Sequence, residues 1–195
     1  MASSATPYGA EPVGTLSASG SFSGKVQHIP IATTYGTAIF YGDFVKLAVT
    51  GHVQKDVGTT SLTPIGIFMG CTYTDPTTGQ FTCSQQWPAS NAATDAKALV
   101  ATDPNLLFKM QADGACTQAY LNANIAVVQT AGSTLIGRSK NAVDQDTGAD
   151  TNTLPLRIVD FVDGPNSAVG DAYTDLICKF NVGHVYQTTT GSALS

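Results

Sequence analysis

The densest set of potential ligands in the chain is Asp144-Gln145-Asp146-Thr147-Gly148-Ala149-Asp150-Thr151-Asn152. Alternating carboxylates beside a glycine suit a tight loop that wraps a hard cation, because calcium takes about six to eight oxygen ligands. Asp144, Asp146, Asp150 and Asn152 are therefore the candidate calcium ligands. Two features weigh against them: the glycine falls one place early for an EF-hand loop, and Pro155 stands where the bidentate glutamate would fall. The plainer reading is a solvated acidic loop, so no metal and no other cofactor is assigned.

Asp160, Asp163, Asp171 and Asp175 contain the raw material of a glycosidase pair, one acid protonated and one ionised. They are equally what turns and strand ends of a β protein carry. His28, His52 and His184 are isolated in sequence and read as surface or hydrogen-bonded strand residues. Tyr73, Trp87, Tyr120 and Tyr186 would stack on sugar rings if exposed together, but aromatic residues more often fill a core or a subunit interface. The chain contains no GxxxxGK[ST], no GxGxxG, no HExxH, no GxSxG and no paired-cysteine zinc spacing. No catalytic residue is assigned, and the chain is expected not to be an enzyme.

The elements that would position these residues are strands. Residues 65–88, IGIFMGCTYTDPTTGQFTCSQQWP, read as a hairpin turning at Asp75-Pro76-Thr77-Thr78-Gly79 and ending at Trp87-Pro88. Residues 25–31 form a short strand, and 35–49 two strands about a Gly42-Asp43 turn. Ala98–Ala101 and Leu106–Gln111 are two more runs, joined by the turn Thr102-Asp103-Pro104-Asn105. Thr117–Asn124 is read as two helical turns with Thr117 as cap, before a strand at Ile125–Gln129. Leu135–Arg138 is read as a further edge, Asn141–Thr153 as a polar stretch, and Leu154–Val162 as a strand. Thr174–Gln187 is read as a long strand with Leu176, Cys178, Phe180 and Val182 inward and Gly183 at a bend. The intervals admit turns and not crossover helices, so the fold class is all-β, an antiparallel β-barrel or β-sandwich with at most one short helix. Residues 1–24, rich in Ala, Ser and Gly, read as an extended N-terminal arm. Residues 25–187 read as a single β domain, and 188–195 as a flexible tail.

Charged residues make up 12% of the 195, against about 25% in an average protein. The formal net charge is −5 and only Arg138 and Arg157 are arginines, so no phosphate-neutralising patch exists and direct nucleic-acid binding is not expected. No run of 18 apolar residues and no charged n-region with an apolar h-region occurs, so no membrane partner is expected and synthesis in a cytoplasm is. Cys71, Cys83, Cys116 and Cys178 are expected as free thiols; Cys71 and Cys83 lie on opposite arms of the hairpin, where they could face each other.

Residues 35–47, YGTAIFYGDFVKL, preceded by Pro7-Tyr8-Gly9-Ala10-Glu11-Pro12-Val13, resemble a family of virion structural proteins of tailed bacteriophages, the capsid decoration or cement proteins. The resemblance runs in order through Gly66–Gly70, Tyr73, Trp87-Pro88-Ala89, Asp103-Pro104-Asn105, Phe108 and Gln111-Ala112-Asp113, and weakens after about Gly148. It implies a protein that binds the outer capsid surface, with the major capsid protein as partner, as a homotrimer bridging neighbouring capsomers. On that reading Pro7, Tyr8, Pro12 and Val13 are the arm contacts with the capsid, and Trp87 belongs to the core or the trimer interface. The alternative is a carbohydrate- or receptor-binding β module of the virion, a head fibre or tail component.

Overall fold

The computed structural model describes residues 4–16 and 25–188. Its strands are β1 (Glu11–Thr15), β2 (Val26–Pro30), β3 (Ile39–Phe40), β4 (Phe44–Leu47), β5 (Val53–Lys55), β6 (Gly66–Thr74) and β7 (Phe81–Ser84) in the first half. The second half contributes β8 (Gln86–Trp87), β9 (Lys97–Ala101), β10 (Leu106–Gln111), β11 (Asn124–Val128), β12 (Ala142–Ala149), β13 (Leu156–Phe161) and β14 (Asp175–Phe180). One sheet has the order β1-β10-β14-β13-β11-β12. The other runs β2-β9-β6-β4-β5 with β7 also on β6, and β3 pairs with β8 in a small ribbon. The strand ladders are antiparallel, and the sheets stack as an open sandwich that does not close into a barrel.

Strands β4 and β6 of the second sheet are largely buried on both faces, which their sequence explains. Alternation along a strand sends Phe44 and Ile67, paired across β4 and β6, towards the first sheet, and sends Val45 and Phe68 the other way. The inter-sheet core centres on Phe44, whose ring meets Phe108 at 5.7 Å and Phe180 at 5.8 Å in edge-on geometry. On the far face Val45, Phe68, Val100 and Trp87 form a second core beneath the β3–β8 ribbon. A strand with two buried faces reads as a continuous apolar run, hence Ile65-Gly66-Ile67-Phe68.

The β6–β7 hairpin has the expected arms and turn, with Asp75 Oδ1 accepting the Thr77 and Thr78 amides and Gly79 at φ 69°. Its register pairs Thr72 with Cys83 and Cys71 with Ser84, so Cys71 and Cys83 point to opposite faces and do not meet. All four cysteines are free thiols. Burial pushes the Cys71 thiol up to about 12 and the Cys116 thiol up to about 11, so both are protonated and inert at neutral pH.

The runs β9 and β10 form as expected, and they belong to different sheets, so the turn at residues 102–105 carries the chain from one layer to the other. Several other expectations are corrected. Two helical turns over Thr117–Asn124 reduce to one 3-10 turn at Gln118–Tyr120: Thr117 makes no side-chain cap bond, and Asn124 is already in β11. The polar stretch at 141–153 is largely a strand, β12, because its alternating residues pair with β11. The strand expected over Thr174–Gln187 ends at Phe180, and Gly183, at φ 84°, lets the chain pass the Leu62 carbonyl where a Cβ would stand 2.0 Å from that oxygen.

The boundary expected at residue 24 is also displaced. Residues 4–16 are not an arm held away from the domain: β1 is an edge strand of the first sheet, paired with β10 from Glu11↔Lys109 to Thr15↔Leu106 with a bulge at Val13. Ala10 is fully buried, and its amide donates to the Gly42 carbonyl at 2.9 Å. Residues 1–3, 17–24 and 189–195, which hold the rest of the expected arm and tail, lie outside the described residues. Deleting residues 1–16 removes a ladder, a buried residue and the bonds to the Gly42 turn, and should lower stability by on the order of 3 kcal/mol or prevent folding. Urea unfolding of the truncated chain measures this; an unchanged midpoint would show that β1 is not part of the cooperative unit.

Candidate functional site

The candidate calcium ligands are not brought around a common point. Asp144 and Asp146 share one face of β12, where the ladder to β11 holds the backbone extended and keeps it from curling into a loop. Asp150 lies just beyond the strand, lining a shallow groove of about 430 Å³ with Tyr120, Leu121, Asn122 and Gly148, and Asn152 sits in the following turn. Among the described residues no group of three or more His, Cys, Asp or Glu side chains is placed to hold a metal ion. Partial burial, and after it the charge of Asp113, raise the Asp144 carboxyl above its ordinary value.

Three of the four aspartates of the possible glycosidase pair are engaged in hydrogen bonds within the chain. Asp175 Oδ1 accepts the Tyr8 hydroxyl at 2.9 Å, Asp171 Oδ2 accepts the Ala168 amide at 3.0 Å, and Asp160 Oδ1 accepts the Phe161 amide at 2.8 Å. Asp163 is exposed, and none of the four lines the groove beside Tyr120. The aromatic platform is not assembled either. Trp87 is fully buried, with its ring edge-on to Tyr73 at 5.6 Å, whereas Tyr120 sits beside β12 and Tyr186 bonds Gln27 on β2. Trp87 is thus a core residue, and the trimer-interface alternative for it falls away because no face of it reaches solvent.

Of the residues expected to contact a capsid through a free arm, Tyr8 is committed within the chain. Its hydroxyl binds Asp175, its ring carries Lys109 Nζ at 5.0 Å, and burial followed by the Asp175 charge raises its pKa. Pro12 is in the β1–β10 ladder, Pro7 walls a groove of about 420 Å³ with Ile136, Arg138 and Lys140, and Val13 on the bulge is 36% exposed. Glu11 fixes this corner, meeting Arg138 at 3.3 Å and Lys109 at 3.8 Å, while Arg138 also lies over the Tyr41 ring at 5.3 Å.

A surface that the sequence reading did not single out lies next to this corner. The turn at residues 133–138 is closed by Ser133–Arg138 pairing, and leaves Leu135 92% and Ile136 59% exposed. It abuts the end of β7, since the Gln86 side chain donates to the Thr134 carbonyl and the Tyr41 amide is shared between the Gln85 and Gly137 carbonyls. Among the described residues β7 pairs only with β6, which leaves its outer backbone edge open, and Phe81 at its start is 69% exposed. The edge expected at Leu135–Arg138 is instead a turn, and the exposure of Leu135 and Ile136 was not legible in the sequence.

Comparison with protein families, with curated proteins and with solved structures finds no match to the chain.

The histidines do not converge. His28 is exposed on β2, His52 bonds Thr50 in the β4–β5 turn, and His184 is buried against Phe180 with ring centroids 4.9 Å apart. Burial pushes the His184 imidazole down to about 4 from its ordinary 6.5. Its folded-state value is therefore depressed, so between pH 6.5 and 4 the unfolded chain takes up a proton that the folded chain resists. This contribution to stability is complete above pH 6.5 and is lost as the pH falls towards 4. Thermal unfolding across that window should show a falling Tm, and His184→Phe should flatten the fall; an equal pH slope in the variant would assign the effect to other groups.

Proposed function

We propose that this protein is a structural component of a tailed-phage virion, a cement protein that binds the outer surface of the capsid, bridges capsomers as a homotrimer and catalyses no reaction. The observation that carries the reading is the surface formed by Leu135, Ile136 and the open edge of β7. Two adjacent aliphatic side chains on a well-formed turn are costly to present to water, and the unpaired edge of β7 ends beside that turn; both are typical of a surface that another protein covers. An open edge also offers main-chain donors and acceptors to a strand of the partner. The resemblance in residues 7–13 and 35–47 supplies the kind of partner, the major capsid protein in its expanded lattice. The low charge suits a surface that is largely covered after docking.

Such a protein acts by linkage. Contacts available only on the expanded lattice lower the free energy of that state relative to any other, and the shell is stabilised by the full differential binding energy. The rival reading, a carbohydrate- or receptor-binding module, draws less support because Trp87 and Tyr73, half of its aromatic set, are in the core.

The double change Leu135→Asp, Ile136→Asp leaves the two cores untouched. It should leave Tm within about 2 °C of the parent, since surface changes alter stability by only about 0.5 kcal/mol. Mass from light scattering, followed by sedimentation with expanded heads, tests the role. The parent should form a trimer of the 20.1 kDa chain and co-sediment, and the variant should lose capsid binding at least tenfold, about 1.4 kcal/mol. A variant that binds as tightly as the parent would remove this surface from the interface, and a parent that binds glycans but not heads would favour the rival.

A further inference from the structure

Between the two sheets lies a group of three polar side chains that the proposed role does not use. Asp43 and Asn141 are fully buried, and the side chain of Lys55 is 9% exposed. One oxygen of Asp43, Oδ2, meets Lys55 Nζ at 2.9 Å and accepts the Phe40 amide at 2.9 Å. The other, Oδ1, accepts the Ser139 hydroxyl at 2.6 Å and the Asn141 carboxamide nitrogen, Nδ2, at 3.2 Å. The carboxamide oxygen of Asn141 in turn accepts the Thr130 amide at 3.1 Å. The Phe40 ring flanks the Lys55 ammonium at 6.0 Å.

We propose that Lys55 and Asn141 react within the folded chain to form an intramolecular isopeptide bond, with Asp43 carrying the proton. The parts match the requirements of amide exchange. A single carboxylate touches both the amine that must lose a proton and the leaving nitrogen that must gain one. A backbone N–H already polarises the carbonyl under attack and is placed to take the negative charge that develops on its oxygen. The site is buried, which limits the access of competing water, and holding the groups together replaces an encounter in solution.

The step balances as follows. A proton passes from Lys55 Nζ to Asp43 along their contact, which leaves an uncharged amine and an uncharged acid and relieves the cost of two buried charges. Nζ attacks Cγ of Asn141 and a tetrahedral centre forms, its oxygen held by the Thr130 amide. The bond from Cγ to Nδ2 breaks as Asp43 gives its proton to Nδ2 and takes up the second proton of the attacking nitrogen, so ammonia leaves and Asp43 is left as the uncharged acid beside the new amide. No oxidant, reductant or cofactor enters. Because Lys55 ends β5 in one sheet and Asn141 directly precedes β12 in the other, the bond would staple the two layers covalently in a chain whose cysteines are all free thiols.

Intact-mass measurement of the purified full-length chain under denaturing conditions tests this. After allowance for loss of the initiator methionine, the expected mass is below that of the sequence by about 17 Da, one ammonia. The tryptic map should show no cleavage after Lys55 and one branched peptide joining Lys55 to Asn141. Asn141→Ala should have the full sequence mass and normal cleavage at Lys55; should that variant fail to fold, the parent's mass and peptide map decide alone. A parent at the full sequence mass with Lys55 cleaved normally would overturn the proposal. A loss of about 18 Da mapped between Lys55 and Asp43, one water, would overturn Asn141 as the acceptor.

Discussion

The structure depends on the satisfaction of one buried carboxylate. Asp43 is fully enclosed, and a carboxylate taken out of water without partners is among the most costly groups a core can hold. Four donors surround it, from Phe40, Lys55, Ser139 and Asn141, and they come from three separate parts of the chain. None of the four can move away without stranding a charge, so the turn before β4, the end of β5 and the segment before β12 are held in one arrangement. The N-terminal strand is tied to the same point, because the Ala10 amide bonds the Gly42 carbonyl and the Gly9 amide bonds the Asn141 carbonyl. Gly42, at φ 88°, makes the turn that aims Asp43 inwards.

Around this polar centre the apolar residues set three layers. The Phe44, Phe108 and Phe180 rings fill the space between the large sheets, while the β3–β8 ribbon and its loops close the outer face of the second sheet over Trp87 and Phe68. The open β7 edge and the Leu135–Ile136 turn lie at the periphery of this packing, and they are tied through Gln85 and Gln86 to the same β3–β4 region that holds Asp43.

Much of the fold was legible in the sequence for local reasons. The β6–β7 hairpin was carried by its β-branched run and by Asp75 and Gly79, whose side-chain and backbone preferences make that turn whatever surrounds it. The inward set Leu176, Cys178 and Phe180 followed from period-two alternation. Local signals misled where a tertiary partner outweighed them. β12 reads as a polar loop because it is an edge strand whose outer face is wet, and residues 9–15 read as a loose arm because the small residues Gly9, Ala10 and Gly14 have value only against the surface they fit. The exposed Leu135 and Ile136 could not be told from core residues by type.

By itself the sequence determined an all-β, antiparallel chain with one well-defined hairpin, no helix of consequence and free thiols, because alternation and turn chemistry act over a few residues. Only the tertiary structure decided which strands are neighbours, that β9 and β10 part into different sheets, that residues 4–16 belong to the domain, and that Lys55, Asp43 and Asn141 meet. Those outcomes rest on pairing between residues about a hundred or more positions apart, such as Glu11 with Lys109, Asp43 with Asn141 and Tyr8 with Asp175. Their free energy comes from burial and hydrogen bonding at the meeting point, and no short stretch of chain carries that information.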